Sequence, residues 1–254
     1  MERPSFDLDG QVALVTGAGR GIGRDLVLAL AAAGARVAAG VRSPADADAV
    51  VAEARESGGD AAAVTLDVSD RASIDRAIEE TAERVGRINI LVNNAGLGTN
   101  HDALEATEEE WDDLFAVNVR GLFFACQSAG RHMVAQRHGR IVNMASQAGL
   151  VGIPRHAAYS ASKGAVIALT RVLALEWAPF GVTVNSVAPT FIRTPGTAER
   201  LDQPDFLADV LERIPVGRVG TTTDVAGAVI YLASPAASLV TGTVLVVDGG
   251  WTAR

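Results

Sequence analysis

Lys163 is the only lysine in a chain whose 22 Lys and Arg residues are otherwise all arginine, and it stands four residues after Tyr159. The two cations are not equivalent: lysine carries a compact ammonium on a flexible stem, arginine a planar fork. An exception to so strong a bias marks the position. At i and i+4 on a helix, Tyr159 and Lys163 share one face, with Cβ atoms about 5–6 Å apart. A free phenol titrates near pH ~10 and is a poor base at neutral pH. A neighbouring ammonium is expected to stabilise the phenolate and lower that value. The pair can then pass a proton to or from an alcohol oxygen. Ser146 follows Asn143-Met144-Ala145, and its hydroxyl can hydrogen-bond the same oxygen. Singly, each has a plainer reading: Tyr159 as a half-buried side chain, Lys163 as a snorkelling surface lysine, Ser146 as a helix cap. Their concurrence points to a site.

The elements that must position these residues alternate in type. Apolar β-type runs occupy residues 12–16, 37–41, 62–66, 88–92, 140–145, 182–187 and 244–247. Helical stretches fall between them. One runs through Ala33 to a stop at Gly34, one from Pro44 toward Ser57, and one over 70–85 behind a cap at Ser69 or Asp70. Thr107 and Glu110 form a capping-box signature for a long helix reaching about Arg137, with room for a break. Residues 159–178 and 223–232 are also helical. Such alternation predicts one doubly wound, Rossmann-type parallel sheet of about seven strands, with helices on both faces. The whole chain, 1–254, reads as a single unit. Residues 190–219 form an irregular insertion which, with Pro189 before it, holds four of the nine prolines. Such an insertion is expected to serve as a lid.

The first strand runs into Thr16-Gly17-Ala18-Gly19-Arg20-Gly21-Ile22-Gly23 and then a helix. Glycines allow a tight turn and close backbone approach, and the helix start offers unpaired N–H donors to a phosphate. A strand before and a helix after are the context a dinucleotide motif requires. At the end of the second strand an acid would favour NAD, whereas an arginine suits the 2′-phosphate of NADP. Here the strand ends Gly40-Val41-Arg42-Ser43, with no acid before Asp46. Arg42, backed by Arg20, favours NADP(H); NAD(H) stays possible, since Arg42 also fits as a solvated surface charge.

Composition narrows the partners. A net charge of −8 with scattered basic residues argues against binding nucleic acid. The single Cys126 permits no intrachain disulfide. Neither a leader-like segment nor an apolar run long enough for a membrane span is visible, so a cytoplasmic protein is expected. His101 has no partners at metal-ligand spacing, and no metal site is expected. Cys126 fits a small core residue. Trp111, Trp177 and Trp251 read as packing or subunit-contact residues. Arg155 and His156, just before the catalytic helix, could touch substrate or simply be solvated.

The glycine loop, Asn93-Asn94-Ala95-Gly96 after the fourth strand, and Ser146 with Tyr159-x-x-x-Lys163 together resemble the short-chain dehydrogenase/reductase family. Order and spacing match over essentially the whole chain. The resemblance implies a tetrad: Tyr159 as general acid/base, Lys163 lowering its pKa and holding ribose hydroxyls, Ser146 positioning the substrate oxygen, and Asn118 holding a water that links Lys163 to solvent. It implies a cofactor surface of Gly17, Gly19, Arg20, Gly21, Ile22, Gly23, Arg42, Asp67, Val68, Asn94, Ala95, Gly96, Pro189, Ile192 and Thr194, along with Tyr159 and Lys163. Gln147, Thr190 and Phe191 join Ser146 and Tyr159 around the substrate. One departure is Pro189-Thr190 where the family has Pro-Gly; the threonine adds a side chain beside the substrate entry. The family also implies a homotetramer.

The expected activity is NAD(P)-dependent interconversion of a secondary alcohol and a ketone. A small-molecule substrate is expected: a sugar or polyol, a 3-oxoacyl compound or a hydrophobic ketone. A regulatory or structural subunit without turnover is the alternative, against which the intact tetrad argues.

Overall fold

The computed structural model describes residues 3–253. Seven strands form one parallel sheet: β1 (Val12–Thr16), β2 (Arg36–Val41), β3 (Asp60–Thr65), β4 (Ile88–Asn93), β5 (Gly139–Met144), β6 (Val182–Pro189) and β7 (Val244–Val247). Their order is β3-β2-β1-β4-β5-β6-β7. Strand order therefore reverses between β1 and β4, and that switch opens a crevice at the carboxyl ends of the strands. β1, β5 and β6 are buried along their whole length because both faces of the sheet are covered. On one face lie α1 (Gly21–Ala32), α2 (Asp48–Glu56) and α9 (Thr222–Ala233), packed through Leu26, Val51 and Val229. On the other lie α3 (Arg71–Arg84), α5 (Leu122–Gln136) and α6 (Ala157–Trp177), packed through Ile78, Met133 and Leu173.

Local chemistry sets the boundaries. The Asp70 side chain caps α3 by accepting from the Ala72 N–H at 2.9 Å. The expected Thr107–Glu110 capping box starts α4 (Glu108–Phe115). The long helix predicted from Thr107 is indeed broken. Ala116–Gly121 form a π-turn between α4 and α5, and Gly121 packs so closely on the Val68 carbonyl that a Cβ would not fit. That turn presents Asn118.

The insertion is less irregular than its prolines suggest. It contains α7 (Ala198–Leu201) and α8 (Pro204–Glu212). Pro204 lies in the first turn of α8, where its missing N–H costs nothing. Proline here starts a helix; reading it only as a breaker hid the element. The insertion is tied at its base, where the Phe191 carbonyl accepts from the Gly220 N–H and the Arg193 N–H donates to the Gly220 carbonyl, both at 2.9 Å.

Candidate active site

The sheet delivers Asn94, Ser146 and Thr190 to one edge, directly after β4, β5 and β6. A cleft of about 580 Å³ opens there, and Tyr159 and Lys163 of α6 reach it from the side. Lys163 is 5% exposed. Its Nζ donates to the Met144 carbonyl at 2.7 Å and lies 5.6 Å from the centroid of the Tyr159 ring. Burial pushes the lysine down to about 8.

The expected lowering of Tyr159 is not what this arrangement gives. Burial pushes the phenol above its ordinary value, and a hydrogen bond with Ser146 opposes that only in part. The physical reason lies in the placement of the cation: Lys163 is committed to a main-chain carbonyl and sits by the ring rather than bonded to the hydroxyl. Ser146 also keeps its plainer role, since its Oγ accepts from the Ala148 N–H at 3.1 Å and caps the turn that follows.

Asn118 is 1% exposed and does not line the cleft. Its Nδ2 donates to the Leu97 carbonyl at 2.9 Å and to Ser162 Oγ at 3.1 Å, while its Oδ1 accepts from the Leu97 N–H at 2.8 Å. It thus fixes the strand-end loop against α6. A Cβ added at Gly96 would lie 3.2 Å from Asn118 Oδ1 and 3.6 Å from Lys163 Nζ. The missing side chain at Gly96 leaves room for Asn118 Oδ1 beside the loop, while the Lys163 distance is an ordinary contact.

The glycine loop has the geometry of a cradle. Gly17 and Gly21 have positive φ, 66° and 55°. A Cβ at Gly17 would come within 2.9 Å of Ala95 Cα, and one at Gly23 would overlap the Gly17 carbonyl and the Asn94 amide. Two side chains brace the loop. Thr16 Oγ1 accepts from the N–H groups of Asn94 and Ala95 at 3.0 and 2.9 Å. Asn94 Nδ2 donates to the carbonyls of Thr16 and Gly17 at 3.0 and 3.1 Å. Thr194 closes the far side, its Cβ 3.5 Å from where a Cβ on Gly21 would stand. Glycine where a side chain would block the backbone, at the start of α1, fits a dinucleotide pyrophosphate.

The predicted residues divide by position. Arg20, Ile22, Asn94, Gly96, Pro189, Ile192 and Thr194 line the same cleft as Ser146, Gln147, Tyr159, Lys163, Thr190 and Phe191. Gly17, Gly19, Gly21, Gly23 and Ala95 do not line it, and Arg42 after β2 and Asp67 and Val68 after β3 also lie outside it. Asp67 is held below its ordinary value, chiefly through its hydrogen bond from Ser69, with a smaller contribution from the charge of Arg42. Cys126 is a core residue as expected: it is fully buried beside Asn93 and Asn143, and its thiol is pushed up to about 12.

Sequence reasoning missed several wall residues. Ile153, Thr197 and Ala148 line the cleft, and Arg200 stands at its outer end beside His156, which the sequence had offered as a possible substrate contact. Trp251 is more than packing, because its ring lies 5.8 Å from that of Phe191 at the cleft wall. Only a signal of long-range proximity would have found it, 60 residues after Phe191.

The family model described as enoyl-(acyl carrier protein) reductase matches residues 17–252. A galactitol 2-dehydrogenase (L-tagatose-forming) of Cereibacter sphaeroides is 46% identical over 253 residues, 98% of each chain. A 3-oxoacyl-[acyl-carrier-protein] reductase of Synechocystis is 43% identical over 245 residues, 96% of this chain and 97% of that one. The crystal structure of a gluconate 5-dehydrogenase from Burkholderia cenocepacia, in complex with NADP and tartrate, superposes with a TM-score of 0.95 at 38% identity over 98% of both chains. With the switch-point cradle and the Ser146–Tyr159–Lys163 cluster in place, these similarities settle the family: the chain belongs to the short-chain dehydrogenases/reductases and is an NAD(P)-dependent oxidoreductase of CH–OH groups.

Proposed function

We propose that the substrate is a polyhydroxylated carbon chain, a polyol or sugar derivative, whose secondary alcohol and ketone forms are interconverted with NADP(H). One observation carries this reading. Gln147 is 2% exposed and lines the cleft beside Ser146, yet its Oε1 has no hydrogen-bond partner, and neither has Thr190 Oγ1 across the same cleft. A buried unpaired oxygen costs about 1–3 kcal/mol. Hydroxyls flanking the reacting carbon would donate to both. The methylenes beside a 3-oxoacyl ketone would leave Gln147 unsatisfied, and sites built for a hydroxyl discriminate strongly against analogues lacking it. The similarity to a galactitol dehydrogenase, and to a gluconate dehydrogenase crystallised with tartrate, supports the same class.

The dinucleotide supplies or accepts the hydride. The chain's own residues handle the proton and the orientation. At neutral pH the raised Tyr159 phenol keeps its proton and can give it to a ketone oxygen held by Ser146. The ammonium of Lys163 holds α6 to the end of β5 through the Met144 carbonyl. In this reading residues 190–219 close over the bound substrate and exclude water.

Turnover of galactitol and related alditols should exceed that of a 3-oxoacyl thioester. Gln147→Leu should lower kcat/KM for the alditol by about 10- to 100-fold, the worth of a lost hydrogen bond to a buried group. Efficient 3-oxoacyl reduction unaffected by that substitution would overturn the assignment.

Arg42 is exposed at the end of β2, with no acid at the position that would bond a ribose hydroxyl. Its side chain, with Arg20, supports NADP(H). Arg42→Ala should reduce the NADPH over NADH preference about tenfold, measured as the ratio of dissociation constants. A parent enzyme that prefers NADH would refute this choice.

A homotetramer and a cytoplasmic setting belong to the same reading. Val172 and Leu175 on α6 and Trp111 on α4 expose apolar surface to which a second copy could pack. Light scattering on the purified chain reads the assembly directly.

A further inference from the structure

The catalytic cleft continues into an outer chamber of about 430 Å³, and the two share Asn100, Ile153, His156, Phe191 and Arg200 as common walls. Phe206 and Trp251 give the chamber an aromatic side. Its charges are unbalanced. Arg213 is neutralised by a two-pronged hydrogen bond to Asp209. No carboxylate pairs with Arg155 or Arg200 among the described residues. Arg200 is half-buried and stacked on Phe206, its guanidinium carbon 4.5 Å from the ring centroid. Burial and the nearby charge of Arg155 both push Arg200 below its ordinary range, and burial first, then the charges of Arg200 and Arg155, disfavour a proton on His156. Arg155 itself sits at φ 67°, a conformation a side chain rarely adopts, just before α6. Three basic groups thus face one cavity that opens onto Tyr159, whose ring lies 6.2 Å from that of His156.

Repulsion of this kind persists where a ligand relieves it. We propose that Arg200 and Arg155 form an anion subsite that receives a terminal carboxylate or phosphate of the polyhydroxylated substrate, so that the preferred substrates are sugar acids or sugar phosphates rather than neutral polyols. Arg200 is the principal ligand, since its planar fork is already held by Phe206 and is aimed at both cavities; a guanidinium so placed can bond a carboxylate or phosphate at two points. The inference rests on the polyol reading above and narrows it.

The test compares aldonates of four to six carbons with the alditols of the same configuration, which differ only in the terminal carboxylate, and with the matching alditol phosphates. For the parent enzyme, kcat/KM should favour the anionic series, with the carboxylate and phosphate arms showing which anion is taken. In Arg200→Gln the ratio of anionic to neutral kcat/KM should fall by about 10- to 150-fold, the range of a charge-assisted hydrogen bond, mainly through KM. Arg155→Gln should shift it in the same direction by less, and Arg200→Lys should recover part of it. As a readout independent of turnover, tartrate should bind the NADP-loaded parent by calorimetry and bind Arg200→Gln more weakly. Thermal melts identify any variant that fails to fold, in which case the Lys variant and the salt dependence of the parent's ratio carry the test. Alditols turned over in preference to every anion, or a ratio unmoved in both Gln variants, overturns the subsite and leaves the polyol reading standing. Turnover of neither series, with a 3-oxoacyl thioester accepted, overturns both.

Discussion

The cradle after β1 and the cleft after β5 and β6 share one sheet edge, but they are finished differently. In the cradle the side chains that brace the loop have partners within the chain: Thr16 and Asn94 bond backbone on both sides of the crevice, and only backbone N–H groups at the start of α1 are left for a ligand. The cleft instead holds Gln147 Oε1 and Thr190 Oγ1 without partners, and guanidiniums at Arg155 and Arg200 without acids. The side chains of the first region are braced before ligand arrives. On the reading proposed above, the second leaves its hydrogen bonds and charges for the substrate to satisfy. A pre-formed cradle can serve any relative that uses the same cofactor, whereas unpaired groups in the cleft select among substrates.

The comparison breaks most severely at the point where both regions meet the chemistry. Tyr159→Phe should lower kcat by about 10³- to 10⁴-fold, the upper range for removing a general acid. NADPH affinity, read by fluorescence titration, should stay within about threefold, because the cradle lies elsewhere. Near-parent turnover would sink the assignment of Tyr159.

The cradle breaks at Gly23. A methyl there collides with the Gly17 carbonyl and the Asn94 amide, both of which are backbone-braced and unable to yield cheaply. Gly23→Ala should cost several kcal/mol, about 3 or more, on the scale of severe overpacking. The melting temperature and NADPH affinity should fall together. A variant that melts like the parent would mean that the loop is softer than its bonding indicates.

Much of this was legible in the sequence, and the reason is the same comparison. Glycine spacing, the Tyr159–Lys163 interval and the strand-helix alternation are local patterns, and local patterns locate the cradle, the Tyr159–Lys163 pair and the sheet. Helix starts marked by Asp70 and by the Thr107–Glu110 box were equally readable. What escaped depends on distance in space. Arg200 reaches the cleft because the insertion folds back through α7 and α8, Ile153 comes from the loop before α6, Trp251 reaches the outer chamber from beyond β7, and Pro204 gave a misleading signal for the insertion. The direction of the Tyr159 shift also escaped, since spacing reveals that a lysine is near but not that it is spent on the Met144 carbonyl.

Lys163 sharpens the contrast through pH. Its folded value of about 8 lies below the ordinary 10.5. Below pH 8 both the folded and the unfolded chain carry the proton, and folding bears the full cost of burying the charge. Between pH 8 and 10.5 the folded chain has released the proton while the unfolded chain still holds it, so stability rises with pH across that window, by about 3 kcal/mol in all. Lys163→Met removes this slope along with activity. Urea titrations from pH 7 to 10 should therefore show the parent gaining stability relative to the variant. A constant gap between the two would contradict the burial argument.

The smallest effect separates stability from function at a single atom. Gln147→Leu replaces an unpaired buried oxygen with a side chain of similar size, so nothing bonded is lost from the ligand-free fold. Removing that unsatisfied group should stabilise the chain by about 1 kcal/mol. For a chain of this length that is a rise of about 2–4 °C in Tm. The same substitution should raise KM for a polyhydroxylated substrate, because the acceptor for one substrate hydroxyl has gone. Opposite signs in the melt and in KM are what a group reserved for substrate must show. A cradle residue behaves otherwise: Asn94→Leu, which strips bonds from Thr16 and Gly17, should lower Tm and weaken NADPH binding together. If Gln147→Leu lowered Tm as Asn94→Leu does, Gln147 would be a bracing residue like Asn94, and the difference between the two regions would vanish at the position where it is drawn most sharply.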